Sequence, residues 1–359
     1  MALPVAPQSY SLPAGALVVS NSQELVSALA SRTSQDVVLA DGTYTTAGTS
    51  SSTPYFQVSN GDRLWARDLG GAVLQAGLSF GGNYGHNAGE LHGLALDISD
   101  PNLAEASAAI HSWGPDGVGT KIYDTTVDGH YALSSGIDLY QGQGAVVQRV
   151  AAQHFLDYGV RISDNGQNAT PELASTVTDV YVDGVREANP GSTNGTAEFG
   201  IWIGDPVANP VARLRSEHGW FGGLWTGAAS RGTTFQDLTV STVDSPTGVA
   251  IYDEHYTIGD TFQHFNLGPN IDTGFNCEWN HGSGYGACQH TTFQYGTISS
   301  RTTGVFLDQG QFANTVRGIT FRGQACAAIV DNQGTGNTYP DNNFTGVAPG
   351  AVAVANYCR

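Results

Sequence analysis

The sequence predicts an all-β coiled solenoid in a single domain over residues 1–359, and three observations carry that prediction. Residues 157–164 read DYGVRISD and residues 198–205 read EFGIWIGD, the same phrase twice. Its glycine recurs at Gly136, Gly159, Gly200, Gly223, Gly248, Gly274 and Gly304, with Ala328 in register afterwards and Ala109 and Gly77 before. From Gly136 to Ala328 the steps are 23, 41, 23, 25, 26, 30 and 24 residues. The long step holds two turn-rich insertions, NGQNATPELAS and REANPGSTNGT. A period of this size marks units that cannot bury their apolar face alone and must stack. Second, apolar residues alternate after the glycine, as in Ile137/Leu139, Val160/Ile162 and Ile201/Ile203, which is the two-residue period of a strand with one buried face. Third, 47 glycines with only 13% charged residues suit tight turns and short strands better than long helices.

Taken in chain order, SQELVSALASRTSQDVVLADGTY (22–44) opens with an amphipathic helix, Leu25, Val26 and Leu29 forming its apolar side, followed by a strand and a turn at Asp41–Gly42. A solenoid needs a cover over its first open coil, and a cap over about residues 20–45 supplies one. The coils occupy about residues 55–345 and a tail runs over 346–359. A second apolar strand precedes most of the glycines, as in AVVQRVAAQ, TTFQDLTVS, DTFQHFNLG and TTFQYGTIS, giving two or three short parallel strands per coil. The cysteines at 277, 288, 326 and 358 all lie in the last quarter. Three pairings are open. Cys277 with Cys288 closes a short loop and Cys326 with Cys358 pins the tail, so this is the expected pairing, and disulfides imply an oxidising, extracellular compartment.

The formal charge is −18 with a single lysine, Lys121, which excludes nucleic acid and an anionic membrane surface as partners. It also disfavours a polyanionic substrate unless a cation or the few arginines intervene. No apolar run reaches the length of a membrane-spanning helix. The opening residues MALPVAPQSY show no signal peptide, as expected of a secreted protein read from its mature terminus.

The opening ELVSALAS…DVVLADGTY and the recurring G-[IV]-x-[ILV] coil resemble the pectate-lyase-like superfamily of right-handed parallel β-helices, over about residues 20–345. The resemblance implies a right-handed parallel β-helix with a short N-terminal capping helix. It implies less about activity, since the superfamily holds lyases, hydrolases, transferases, epimerases and phage adhesins, and trimers are common in it.

Equivalent outward positions of stacked coils lie about 4.8 Å apart and form columns. Two residues after the glycine the column reads His111, Asp138, Arg161, Trp202, Trp225, Ala250, Asn276, Phe306. Four after, it reads Trp113, Tyr140, Ser163, Gly204, Gly227, Tyr252, Glu278, Asp308, with Asp164, Asp205, Asp253 and Trp279 just beyond. Two before stand Asp157, Glu198 and Asp272. Indoles beside carboxylates suit sugar, whose C–H faces pack on aromatic planes while its hydroxyls need polar partners. His111, Tyr140, Trp202, Asp205, Trp225, Tyr252, Asp253 and Glu278 are therefore the expected substrate contacts. An aromatic column under a loop or in a trimer interface would look the same.

Glycosidases need two carboxyl groups about 5–5.5 Å or about 6.5–9.5 Å apart. The expected function is hydrolysis or transglycosylation of a neutral or weakly charged glycan, with Asp157 and Glu198, in one column, as the working pair and Asp138 and Arg161 pairing electrostatically and orienting substrate or tuning the acid. The polygalacturonase branch is similar in placing acids around this glycine, but its Gly-His-Gly and Arg-x-Lys are absent, so its roles do not transfer. A polysaccharide lyase is the main alternative, with Arg161 as base and calcium held by Asp138, Asp157 and Asp164; otherwise no cofactor is expected. A non-catalytic glycan-binding protein or adhesin would share the aromatic column without needing a carboxyl pair. Elsewhere, YDEHY (252–256) clusters Asp253, Glu254 and His255, and His154 and His218 each precede a glycine by five residues, as turn hydrogen-bonders would.

Overall fold

A computed structural model describes residues 2–6, 10–31, 33–51, 53–58, 61–81, 89–98, 108–113, 118–140, 143–163, 174–186, 198–204, 210–227, 230–254, 257–278, 288–332, 334–347 and 352–354. The chain forms two compact units, Met1–Asn165 with Glu172–Ala188, and Gly166–Pro171 with Asn189–Arg359. Each is a run of right-handed parallel β-helix.

The first unit begins with the strand Leu17–Val19, which adds to Asp36–Leu39 in parallel. Between them lies the helix Ser22–Leu29. Asn21 caps it, its side chain accepting from the Glu24 N–H at 2.9 Å, while the Glu24 carboxylate reaches back to the Ser20 N–H at 2.8 Å. Both bonds satisfy donors that a helix start leaves open. The helix buries Leu25, Ala28 and Leu29 and leaves Val26 half-buried, so its inner face is turned slightly from the predicted one. Inside the coils, Val37, Leu64, Leu91, Ile122, Val147 and Val177 stack in register and are fully buried. The glycine-bearing sheet of this unit runs through Gly77–Phe80, Ala108–Trp113, Ser135–Tyr140 and Tyr158–Ser163. There Leu78, Ile110, Ile137 and Val160 form the inward column.

In the second unit the corresponding sheet runs through Phe199–Gly204, Gly222–Gly227, Val249–Glu254, Thr273–Glu278, Thr303–Leu307 and Ala327–Asp331. Its inward column is Ile201, Leu224, Ile251, Phe275, Val305, Ile329. The repeated TFQ strands, Thr234–Gln236, Thr261–Gln263 and Thr292–Gln294, are in register. Phe235, Phe262 and Phe293 stack inside with centroids 4.7 and 5.4 Å apart. Outside, Gln263 donates to Gln236 and Gln294 to Gln263, each at 3.0 Å, and Arg317 closes the amide ladder on Gln294.

The glycine of the repeated phrase answers to crowding. A Cβ on Gly274 would stand 2.4 Å from the Gly304 carbonyl oxygen of the next coil. Counting glycines nevertheless misplaced one coil. Gly222 pairs with Val249 and Trp225 with Tyr252, so Ala250, not Gly248, holds the glycine position. The Cys277–Cys288 disulfide is formed as expected. Cys326 is not free, and its expected partner Cys358 lies outside the described residues.

From the third coil on, one residue between the two strands of the other sheet turns the chain in the left-handed region. In the first unit these are Gly93, Asp124, Arg149 and Asp179 at φ +72°, +52°, +54° and +57°. In the second they are Arg213, Asp237, His264, Tyr295 and Gly318 at φ +54°, +56°, +54°, +57° and +61°. Non-glycine residues pay about 1–2 kcal/mol there, least for Asp and Asn, and a β-branched side chain fits worst. Gly318→Val should therefore lower unfolding stability by about 1–2 kcal/mol and Gly318→Asn by clearly less, as read by urea denaturation. Equal losses would contradict a conformational cause.

Candidate functional site

The outward column of the first unit's glycine-bearing sheet reads Gln57, Ser79, His111, Asp138, Arg161. Asp138 lies between the inward residues Ile137 and Leu139, so alternation fixes its outward direction. It is nonetheless only 7% exposed. Its Oδ2 stands 3.6 Å from Arg161 Nη1, an ion contact rather than a hydrogen bond, and its Oδ1 is buried with no partner among the described residues. Burial pushes the Asp138 carboxyl up to about 6, against the opposing pull of the Arg161 charge. The Arg161 guanidinium also lies over the Tyr158 ring, 5.5 Å from its centroid. On the other side, His111 packs edge-on against Tyr55 at 4.6 Å, and burial lowers its pKa, leaving a neutral imidazole. A protonatable acid, a neutral base and a cation thus occupy three successive coils.

Asp157 stands elsewhere. It sits at the corner before its strand, with Ser134 Oγ 3.4 Å from its Oδ2. On its own coil it precedes Arg161, the residue opposite Asp138, by about 13 Å of extended chain. Glu198 belongs to the second unit, is 6% exposed, and its backbone carbonyl accepts from the Phe221 N–H at 3.0 Å.

The second unit's outward column reads Trp202, Trp225, Tyr252, Asn276, Phe306. Tyr252 takes the place expected of Ala250, and Glu254 that expected of Tyr252. Trp202 and Trp225 approach to 5.5 Å between centroids, and Trp225 and Tyr252 to 6.2 Å at an edge-on angle. Trp202 is only 9% exposed, so it is a wall rather than an open platform, whereas Trp225 and Tyr252 are half-buried. Trp225 Nε1 and Asn276 Oδ1 are buried without hydrogen-bond partners among the described residues. Such an atom costs about 1–3 kcal/mol, which a ligand hydroxyl would offset.

Asp253 is not a surface contact. It shares the inward parity of Val249 and Ile251, is 1% exposed, and accepts from Thr257 Oγ1 at 3.1 Å, with Cys288 Sγ 2.9 Å away. Burial holds its carboxyl well above the usual range, with Asp260 adding to the effect. His154 and His218 do bond as turn residues, to Asp128 at 2.9 Å and Asp244 at 3.0 Å. Asp205, Asp164 and His255, and the side chains of Tyr140 and Glu278, lie outside the described residues.

A further constellation went unread in the sequence. The triplets RLW, ELH and KIY put Trp65, His92 and Tyr123 in one outward column and Arg63, Glu90 and Lys121 in the next. The recurring charged–apolar–aromatic order was the signal, and it lay in the strands before the glycine-bearing ones. Among the described residues no helix is long and apolar enough to cross a membrane.

No family model and no curated protein matches the chain. Solved structures do. The catalytic unit of a thermostable GH87 α-1,3-glucanase from Streptomyces thermodiastaticus is 13% identical, with a TM-score of 0.58 over 97% of this chain and 71% of that one. A PL6 alginate lyase in complex with a trisaccharide is 12% identical, with a TM-score of 0.56 over 99% and 92%. A GH87 α-1,3-glucanase catalytic domain in complex with nigerose is 11% identical, with a TM-score of 0.52 over 98% and 70%. At these identities the likeness establishes the parallel β-helix fold.

The raised Asp138 carboxyl has a cost in stability. Between its unfolded value of 3.8 and about 6, the folded state holds a proton that the unfolded state releases. Stability from this group is therefore greatest at low pH and falls as pH rises through that window, by about 3 kcal/mol in all. Asp138→Asn, which does not ionise, should gain on the wild type by up to that amount between pH 4 and pH 7 in urea denaturation. A difference that stays constant with pH would contradict the placement of this carboxyl.

Proposed function

We propose that the protein is a secreted carbohydrate-active enzyme that cleaves a neutral or weakly charged glycan along the outward column of the first unit's glycine-bearing sheet. One observation carries the reading: a carboxyl that burial keeps protonated up to about pH 6, with one oxygen unpartnered, between a neutral histidine and an arginine. A group poised near working pH is what proton transfer to a leaving oxygen requires. Asp138 is the general acid, and Arg161 holds it in place and binds sugar hydroxyls. His111 is the neutral base on the adjoining coil. Asp157, on the coil of Arg161, is the candidate for a second carboxyl within the same unit. In the second unit, taken by itself, the Trp225 and Tyr252 rings and the unpartnered Trp225 Nε1 and Asn276 Oδ1 also suit sugar. The fold neighbours, a glucanase and an alginate lyase, support a carbohydrate substrate. The charge of −18 favours a neutral one.

A second reading, elimination from a uronate, is favoured by the same triplet. Arg161 would neutralise the uronate carboxylate, His111 would remove the α-proton and Asp138 would protonate the leaving oxygen. In that case Asp138 and Arg161 face the substrate carboxylate, and calcium would need ligands beyond those seen in this column.

Incubation with a glycan panel separates the readings, since hydrolysis yields only new reducing ends and elimination adds an ultraviolet-absorbing unsaturated end. Asp138→Asn should lower kcat by about 10²–10⁴-fold with KM little changed. The wild-type kcat should fall as pH rises through about 6, where the acid loses its proton. Turnover that survives in Asp138→Asn at every pH would remove Asp138 from the chemistry. Asp157→Asn, assayed alongside, tests whether that carboxyl acts with Asp138.

A further inference from the structure

The first unit carries a cavity of about 300 Å³ on the sheet opposite the glycine-bearing one. Its walls are aromatic. Trp65 and His92 stack with centroids 3.6 Å apart and planes 1° from parallel, and His92 continues onto Tyr123 at 4.9 Å. Tyr10, from the segment ahead of the first strand, lies across this stack 6.0 Å from Trp65. Its hydroxyl is anchored on the Ala66 carbonyl and, at 3.2 Å, on that of His92.

Polar groups converge between these walls in balanced charge. Arg149 grips Asp124 through Nε at 2.6 Å and Nη2 at 2.9 Å, leaving Nη1 uncommitted to that pair. Glu90 accepts from Lys121 at 2.6 Å and lies 3.2 Å from His92 Nε2. Burial raises the Glu90 carboxyl, but the bonds from Lys121 and His92 outweigh it and keep the group ionised, while burial keeps His92 neutral. Two anions and two cations cancel, so the cavity does not select an ion. The stack is closed by its own rings, so no slot admits a flat aromatic guest. What remains is an open pocket at the small end of the range for ligand sites, lined by ring edges and by fixed acceptors and donors. That chemistry matches a small, neutral, polyhydroxylated molecule.

We infer that this cavity is a binding site for a neutral mono- or disaccharide unit, separate from the Asp138 column and independent of turnover there. Its position on the opposite sheet suits it to holding a chain end or a second glycan segment. Glu90 and Asp124 accept hydroxyl protons, Arg149 donates, and Tyr123 with Tyr10 closes the sides.

Calorimetric titration of the full chain with neutral glucose, mannose, galactose and xylose disaccharides, and with an alginate disaccharide as the anionic control, tests the inference. At least one neutral sugar should bind saturably. Tyr123→Ala should weaken that binding tenfold or more while leaving turnover of a short soluble substrate unchanged. Glu90→Gln, which keeps the ring stack, should weaken it by a smaller factor, and it stands in for Tyr123→Ala if that variant does not fold. Absence of saturable binding by every neutral sugar at millimolar concentration would overturn the inference. So would tighter binding of the alginate disaccharide, or binding lost in Asp138→Asn but unaffected by Tyr123→Ala or Glu90→Gln.

Discussion

Everything this molecule presents to solvent depends on a one-residue corner. A parallel coil must turn sharply between short strands without losing register, and here a single residue in the left-handed region does so in coil after coil. Aspartate serves at 124, 179 and 237, and glycine at 93 and 318. Arginine, histidine and tyrosine serve at the others and carry more strain. The strain is held by what the turn makes possible. Inward residues meet as continuous stacks, Phe235–Phe262–Phe293 among them, and outward residues meet as ladders such as Gln236–Gln263–Gln294. The corner residues themselves become a column, which is how Arg149 comes to grip Asp124.

Once register is kept, alternation decides which carboxyls can do chemistry. Asp138 and Asp260 both have raised pKa values for the same first reason, burial. Asp260 is pushed up to about 7, further than Asp138. Yet Asp260 is an interior corner residue that accepts from the Thr233 N–H at 2.8 Å, and Asp253 sits inward beside the disulfide. Their protonation is structural. Asp138 alone of the three stands on an outward column with a histidine and an arginine beside it. A perturbed carboxyl is a site only when its direction and its neighbours agree.

The sequence announced the coil, the capping helix and the Cys277–Cys288 bridge because each follows from short-range pattern: period, cap spacing, loop length. It misled at Gly248 for a definite reason. Ala250 fits where glycine was expected, and a slip of two residues preserves strand parity, so the error left every inward residue inward. Asp253 was readable as interior from the same parity, two residues beyond Ile251, but its acidity argued for the surface and was followed instead. The place of Asp157 at a corner was not readable, because a shared coil says nothing of position along the strand until the corner is located. The aromatic cavity is not announced by the repeated glycine, because RLW, ELH and KIY stand in the strands that precede it.

Glycan held and cleaved against the Asp138 column leaves a direct structural trace. A crystal structure of the Asp138→Asn variant soaked with a glycan that the wild type cleaves tests it most directly. A sugar oxygen should lie within hydrogen-bonding distance of residue 138 and of Arg161, with the scissile bond over that coil. Sugar found only in the aromatic cavity, or on another face with the surroundings of residue 138 unchanged, would contradict it.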